Sequence, residues 1–358
     1  MRVSAWTWLL PVGSMALLGI AAAAGDVGPV LAAVCGLGLG GAVVAAVHHA
    51  EVIAHRVGEP FGTLVLALAV TVIEASLILS MMVAGGADMA VLPRDTIYAA
   101  VMIIANGVVG LCLVVGGVVH REQRFRVEGS GAGMAALIVM CTLTLVIPTF
   151  TTSSPGGTYT TPQLWFVAVS SGVLWIIFIF IQTVRHRDYF LPATGADNPD
   201  SHAPPPTTRE SWMSLGLLLV ALVAVVGLAK MLSPTIEHIV EAAGAPRAVV
   251  GIAIAMLVLM PETVAAARAA RADRLQTSLN LAIGSALASI GLTVPVVVAA
   301  AVFLHLPLVL GLAPTELVLL TLTFVVSSVT LASGRTHVMQ GAVHLVVFAA
   351  FLFLSVVP

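Results

Sequence analysis

The chain has 358 residues, of which 59% are hydrophobic and only 9% are charged, and its mean hydropathy is +1.08. A soluble domain of this size cannot cover its surface with so few polar residues, so the composition indicates an integral membrane protein. The formal net charge of −2 is too small to favour nucleic acid or a strongly acidic partner. We therefore expect membrane lipids around most of the chain and no nucleic-acid partner.

Long apolar runs predict the secondary structure. Runs of about 17–25 residues are long enough to cross a lipid bilayer as helices. The sequence contains eleven of them, so we predict an all-α integral membrane protein with about eleven transmembrane helices. The predicted helices cover residues 8–24, 30–48, 61–83, 97–119, 133–150, 164–181, 213–231, 248–267, 279–303, 312–331 and 340–357.

The first predicted helix has two interpretations. Arg2, a short apolar stretch and the small residues at 21–25 are also typical of a cleaved secretory signal. We favour a retained helix, and both interpretations leave the orientation of the later helices unchanged. Residues 1–25 are therefore taken as an N-terminal transmembrane helix that precedes the rest of the fold.

The three cysteines give no indication of redox or metal chemistry. Cys35, Cys112 and Cys141 all fall inside apolar runs, and no disulfide or metal-binding spacing joins them. Free cysteine behaves as a small apolar residue that packs well in interiors. We therefore predict that all three are core residues.

A polar, proline-rich segment divides the chain near its middle. The sequence LPATGADNPDSHAPPPTTRE at 191–210 has no apolar periodicity, and its composition is typical of disorder. We predict a disordered cytoplasmic linker over residues 191–211. It separates a first group of five helices, at 26–190, from a second group of five, at 212–358.

The positive charges indicate which way the helices run. With the N-terminus in the cytoplasm, twelve of the fifteen Lys and Arg residues fall in cytoplasmic loops, and only Arg94, Lys230 and Arg247 fall outside. Cytoplasmic loops of membrane proteins carry such an excess of positive residues. We therefore expect a multi-pass protein of the cell (inner) membrane with a cytoplasmic N-terminus and, from the odd helix count, an external C-terminus.

Two of the predicted helices carry a glutamate near their middle. Glu74 interrupts the third apolar run and Glu262 interrupts the eighth. A carboxylate at the centre of a lipid-spanning helix costs about 2.5–3.5 kcal/mol even on lenient insertion scales, so such residues are functional by default. A structural hydrogen bond between helices is the alternative, and it explains one such residue better than two in matching positions.

The surroundings of the two glutamates match in layout. Gly-Glu-Pro at 58–60 precedes Glu74 and Gly-Ala-Pro at 244–246 precedes Glu262, with each proline at the start of its helix. Because the third helix runs outward and the eighth runs inward, the two halves are predicted to be inverted repeats. Secondary transporters use such repeats to bring paired residues to one midplane site with alternating access.

The predicted site offers oxygen ligands. Asn106 and Ser285 lie on the helices after Glu74 and Glu262, and the proline before Glu262 leaves the Leu257 carbonyl without its helical donor. An all-oxygen set, with the two glutamates as metal ligands, suits a hard cation such as Ca²⁺ or Na⁺. Protons and the cation compete for the same carboxylates, which produces antiport when coupled to alternating access. No resident cofactor is expected.

Other polar residues are weaker candidates for cation or proton binding. For Asn106 and Ser285, helix packing is an alternative to ligation, because small and amide residues are common at helix interfaces in lipid. His344 is either a structural, hydrogen-bonded histidine, which we favour, or a proton relay. Glu59 either concentrates cations at the start of the third helix or caps that helix. The weaker candidates are Thr71, Ser76, Glu59, Leu257, Asn280 and Ser289.

Four stretches of the sequence form a recognisable set: GEPFGTLVLALAVTVIEASLI (58–78), MIIANGVVGLCLVVGG (102–117), LVLMPETVAAARAA (257–270) and LNLAIGSALASIGLTVP (279–295). Together they resemble the bacterial calcium/proton antiporters of the cation/calcium exchanger superfamily. The resemblance implies one N-terminal helix followed by two inverted five-helix repeats. It also implies that Glu74 and Glu262 are the paired cation-binding acids, with Asn106 and Ser285 as further ligands.

The glutamates differ in setting from the eukaryotic branch of that superfamily. That branch places the acid after Gly-Asn-Ala-x, whereas Thr-Val-Ile precedes Glu74 and Leu-Met-Pro precedes Glu262 in this sequence. Ion selectivity is therefore the property that the resemblance specifies least.

The sequence favours a secondary-active Ca²⁺/H⁺ antiporter that exports Ca²⁺ from the cytoplasm in exchange for protons, with Na⁺ or K⁺ as further candidate substrates. The alternative is a monovalent (Na⁺ or K⁺)/H⁺ antiporter on the same scaffold. An intramembrane enzyme is less favoured, because the chain has no His-Glu-x-x-His motif, phosphate-binding glycine loop or nucleophile with a plausible base. A channel is less favoured because paired acids between inverted repeats suit alternating occupancy. A homo-oligomer is compatible with the sequence.

Overall fold

The computed structural model describes residues 5–25, 28–57, 61–191, 206–242, 246 and 248–357. Over these residues the chain forms eleven long helices, and ten of them, or eleven with one bent helix included, are long and apolar enough to cross a membrane. The all-α membrane fold with about eleven transmembrane helices is therefore confirmed. In chain order the helices are α1 Ala5–Ala24, α2 Pro29–Val57, α3 Phe61–Gly85, α4 Leu92–His120, α5 Val127–Phe150, α6 Thr161–Arg185, α7 Thr208–Ala242, α8 Ala248–Arg271, α9 Leu275–Phe303, α10 Pro314–Ala332 and α11 Val338–Val356.

Helices α2 and α7 extend furthest beyond their predicted apolar runs. Helix α2 continues past residue 48 because its polar end is used within the fold: His49 is buried and its Nε2 lies 2.8 Å from the Thr7 carbonyl oxygen. Helix α7 starts at Thr208 because the Glu210 carboxylate accepts a hydrogen bond of 2.7 Å from the backbone N–H of Thr207, an N-terminal capping interaction. Most of the predicted linker, at 192–205, lies outside the described residues.

The chain divides into two compact units. Unit 1 comprises Met1–Met89 and Asn198–Val250 and contains α1, α2, α3 and α7. In it α2 packs against the other three helices through a stripe of fully buried small residues: Ala42, Ala45, Ala46 and Ala50. Small residues let helix backbones approach closely in lipid, so these alanines allow close packing around α2.

Unit 2 comprises Ala90–Asp197 and Gly251–Pro358, and it contains α4, α5, α6, α9, α10, α11 and α8 from Gly251 onward. Helix α9 packs against α5 and α6, and α11 packs against α4. The α4–α11 approach depends on glycine, because a Cβ added at Gly341 would lie 2.7 Å from the backbone nitrogen of Val114. Cys112 and Cys141 are fully buried in this unit, and Cys35 is fully buried in unit 1, as predicted for core residues.

Loops fix both ends of the unit 2 helices. At one end Gln123–Arg124 forms a short antiparallel ladder with Arg335–Thr336, which the sequence analysis did not predict. At the other, Gly157 has a φ of +73°, and its carbonyl accepts hydrogen bonds from the backbone N–H groups of Leu310 and Gly311. Beside this second cluster, burial raises the pKa of Tyr159 to about 12, and its hydroxyl donates to the Leu143 carbonyl at 2.7 Å.

Candidate functional site

Helix α8 is broken where it carries its glutamate. Its two parts, Val249–Met260 and Glu262–Arg271, meet at an angle of 52°. The break falls at Pro261, which has no N–H to donate and therefore interrupts the hydrogen bonding of the preceding turn. Glu262 is the first residue after the break, and the carbonyl of Leu257 is the one that loses its helical donor.

Glu262 and Ser285 lie in direct contact. The Ser285 hydroxyl on α9 donates a hydrogen bond to Glu262 Oε2, and both side chains are half-buried. Two of the residues predicted for the cation site are therefore neighbours in unit 2. They bring a carboxylate and a hydroxyl together at the α8 break, and the Leu257 carbonyl lies about one helical turn earlier in the chain.

Asn106 lies in an irregular part of α4. Residues Ile103–Val108 form a π-helical segment, a feature often found at functional sites. The Asn106 side chain is fully buried, with 0% of its surface exposed, and its Nδ2 donates to Thr323 Oγ1 at 2.9 Å. Its Oδ1 lies 3.2 Å from Nδ1 of His344. The amide thus has hydrogen-bond partners at both ends while its oxygen keeps a second lone pair.

His344 is hydrogen bonded through both ring nitrogens. Besides the contact with Asn106, its Nε2 lies 3.1 Å from Thr330 Oγ1, and the ring is 0% exposed. This is the arrangement that the structural interpretation of His344 predicts.

Glu74 is buried near the middle of α3. Its side chain is 2% exposed, Thr71 one turn earlier is also buried, and Ser76 is half-buried. Glu74 belongs to unit 1 and Glu262 to unit 2. The approach of the two carboxylates to one midplane site therefore stays a prediction.

The weaker candidates fall into three groups. Asn280 is engaged structurally, because its Nδ2 donates to the Phe190 carbonyl at 2.6 Å and its Oδ1 accepts from Gln276 Nε2 at 2.8 Å. Ser289 is buried in α9, in the same helix as Ser285. Glu59 lies outside the described residues.

A further buried acid was not singled out from the sequence. Asp95, in the first turn of α4, is 6% exposed, and its Oδ1 lies 2.7 Å from Nη2 of Arg94. Nη1 of Arg94 also donates to the Gly311 carbonyl at 3.0 Å. The adjacent Arg-Asp pair is the sequence signal for this ion pair, whereas the apolar run around Thr323 gives no signal for its contact with Asn106.

Comparisons with known proteins cover nearly the whole chain. The profile of the family described as "Sodium/calcium exchanger protein" matches residues 27–184 and 213–357. The chain is 46% identical over 362 residues to the y4hA protein of Sinorhizobium fredii, covering 100% of this chain and 97% of that protein. It is 35% identical over 318 residues to the sodium-potassium/proton antiporter ChaA of Escherichia coli, covering 88% of this chain and 86% of ChaA.

A solved structure has the same fold. Native YfkE superposes with a TM-score of 0.72 over 98% of this chain and 100% of its own, at 19% sequence identity. YfkE is named as a Ca²⁺/H⁺ antiporter. At this identity the likeness shows the fold alone.

Proposed function

We propose that the chain, which belongs to the sodium/calcium exchanger protein family, is a secondary-active antiporter that exports Ca²⁺ from the cytoplasm in exchange for protons, with Na⁺ or K⁺ as further candidate substrates. The family consists of membrane transporters, not of enzymes, and the chain is a multi-pass membrane protein. The exchanged ions and the membrane lipids are its partners in this proposal.

The observation that carries the proposal is the oxygen cluster at the α8 break. Glu262, the Ser285 hydroxyl and the carbonyl of Leu257 supply the oxygen ligands that hard cations prefer. A carboxylate in this position binds either a proton or a cation, because each neutralises the same buried charge. Exchange follows if the site faces the two sides of the membrane in turn.

Glu74 supplies the second acid in this proposal. The matching positions of Glu74 and Glu262 in their halves support two inverted repeats that share one cation site. The positive-inside asymmetry of the loops supports a cytoplasmic N-terminus and an external C-terminus in the cell (inner) membrane. A homo-oligomer is compatible with this arrangement.

A second candidate function is exchange of Na⁺ or K⁺ alone for protons. It is favoured by the 35% identity with a relative named as a sodium-potassium/proton antiporter. The same oxygen ligands serve either class of cation, and selectivity between the classes depends on the number of ligands and the flexibility of the site.

The test is a fluorescence assay of the proton gradient in everted membrane vesicles. Ca²⁺, Na⁺ and K⁺ are added in turn to wild type, Glu74→Gln and Glu262→Gln. A matched control is Glu128→Gln, because Glu128 is exposed in the first turn of α5. Collapse of the gradient by Ca²⁺ in wild type and the control, but in neither acid variant, supports the first candidate.

Two other outcomes have defined meanings. Collapse by Na⁺ or K⁺ that Ca²⁺ neither causes nor inhibits moves the function to the second candidate. Wild-type exchange in either acid variant refutes the role given to that glutamate.

A further inference from the structure

A buried polar cluster in unit 2 surrounds the Asn106 amide. The cluster consists of Asn106 on α4, Thr323 and Thr330 on α10, and His344 on α11, and none of the four is more than 4% exposed. The candidate cation ligand is thus held by three helices of one compact unit.

The hydrogen bonds in this cluster run in one direction. Thr323 donates its hydroxyl proton to the Leu319 carbonyl at 2.8 Å, so its oxygen accepts from Asn106 Nδ2. The amide oxygen then faces His344 and accepts from Nδ1–H. Nε2 is left as the acceptor of the neutral ring, and it receives the Thr330 hydroxyl proton. Each member therefore fixes the orientation of the next.

The surroundings of His344 favour a neutral ring. A small cavity of about 10 Å³ adjoins it, and the surface that its lining presents to the cavity is apolar. The lining residues are Val109, Met134, Leu279, Ile283, Ser327, Thr330, Leu331 and His344. Among the residues that the structure describes, none that lines this cavity or hydrogen bonds to the His344 ring is a carboxylate, so an imidazolium would have no counter-ion in contact with it, and an unpaired buried charge is costly. A role as a hydrogen-bond donor fits this site better than a role as a proton carrier.

We propose that His344 is a positioning residue for cation binding: with Thr323 it clamps the Asn106 amide so that the free lone pair of Oδ1 keeps a fixed direction. The inference rests on the proposed function and extends it to a residue outside the oxygen cluster at the α8 break. Residues that orient a metal ligand commonly affect affinity without contacting the ion. Loss of the clamp lets the amide rotate, which weakens cation binding and leaves the transport machinery otherwise intact.

Amide substitutions separate the two contacts of His344. In Asn the amide nitrogen is bonded to Cγ, as Nδ1 is in His, so His344→Asn keeps a donor for Asn106 Oδ1. In Gln the amide lies one bond further out, near the position of Nε2, so His344→Gln keeps only the contact with Thr330. His344→Leu removes both contacts.

The experiment measures the cation concentration dependence of exchange in vesicles containing equal amounts of folded protein. We expect His344→Leu and His344→Gln to raise the KM for the cation about 10-fold with little change in maximal rate, the scale reported for residues that orient metal ligands. His344→Asn should stay close to the wild-type KM. The control is His49→Leu, since His49 is also a buried histidine but lies in unit 1, where its Nε2 contacts the Thr7 carbonyl.

The alternatives give different results. An unchanged KM with a lower maximal rate in His344→Leu indicates a merely structural role and overturns the inference, as does a KM for His344→Asn as high as that for His344→Leu. If His344→Leu fails to fold, Thr323→Val tests the same clamp from its other end and should raise the KM similarly. If only the inference is wrong, exchange is still abolished in Glu262→Gln. If wild type shows no cation-driven proton movement, the proposed function and the inference are both wrong.

Discussion

The two helices that carry the central glutamates hold them differently. Helix α3 runs without a break from Phe61 to Gly85 and encloses Glu74, which is 2% exposed. Helix α8 bends by 52° immediately before Glu262, which is half-buried and hydrogen bonded to Ser285. The difference begins in the sequence, where Ile73 precedes one glutamate and Pro261 precedes the other. Matching positions of two glutamates in the two halves therefore do not imply that their surroundings are equivalent. Of these two helices, α8 is the one in which a proline leaves a backbone carbonyl without its helical donor.

The largest expected effect is loss of exchange in both Glu74→Gln and Glu262→Gln. Either substitution removes a charge that the cation must neutralise, so exchange should fall by more than about 100-fold, since loss of an orienting partner alone costs about 10–100-fold. Initial rates in everted vesicles measure the effect, with Glu128→Gln as the control. If only one variant lost exchange, the comparison would change from two unlike ligands of one cation site to one ligand and one structural glutamate.

Pro261→Ala makes α8 resemble α3. Alanine restores the N–H that the Leu257 carbonyl lacks, so the helix should straighten and an oxygen ligand should be lost. We expect the KM for the cation to rise about 10-fold while the melting temperature of the purified protein rises, because proline is far less favourable than alanine inside a helix. A higher melting temperature with an unchanged KM would exclude the carbonyl as a ligand.

Ser285→Ala removes the hydrogen bond that the Glu262 carboxylate accepts from helix α9. The KM should rise about fivefold, equivalent to one hydrogen bond of about 1 kcal/mol. Ser355→Ala serves as the matched control, because the Ser355 hydroxyl donates only to the Phe351 carbonyl in its own helix. Equal KM values for the two serine variants would argue against a role for Ser285 at the cation site.

Asn280→Ala should have the smallest effect on exchange. Its side chain joins Gln276 to the Phe190 carbonyl, so its loss should lower the free energy of unfolding by about 1–3 kcal/mol and leave the KM unchanged. Thermal unfolding in detergent and the vesicle assay together measure both quantities. A raised KM for the cation would instead indicate that Asn280 contributes to cation binding.

The sequence was sufficient for the number and order of the helices, because hydrocarbon thickness imposes a minimum length on every apolar run. The sequence did not predict the residues at which the helices begin and end. A hydropathy run stops at the polar residues after position 48, but α2 continues to Val57 because His49 finds a buried partner in Thr7. Helix length is decided by backbone hydrogen bonding and local partners, which hydropathy does not measure.

The candidate site was predictable where its parts are close in the chain. Glu262 and Ser285 lie on consecutive helices, so a helical hairpin brings them together, as their contact shows. The partners of Asn106 were not predictable: Thr323 and His344 lie 217 and 238 residues away along the chain, and one sequence contains no record of such pairings. The ladder between residues 123–124 and 335–336 was missed for the same reason.

The bend in α8 has a mechanical consequence, because both ends of the helix are fastened to α4. A Cβ added at Gly251 would lie 3.1 Å from the backbone nitrogen of Thr96, so the two backbones touch near the start of each helix. At the far end His120 Nε2 lies 2.8 Å from the Arg271 carbonyl oxygen. Helix α4 therefore spans the distance between the two ends of the bent helix α8. Straightening α8 would move its two ends further apart, so it requires the loss of one of these contacts with α4 or a change in the length of α4, whose irregular part is the π-helical segment around Asn106.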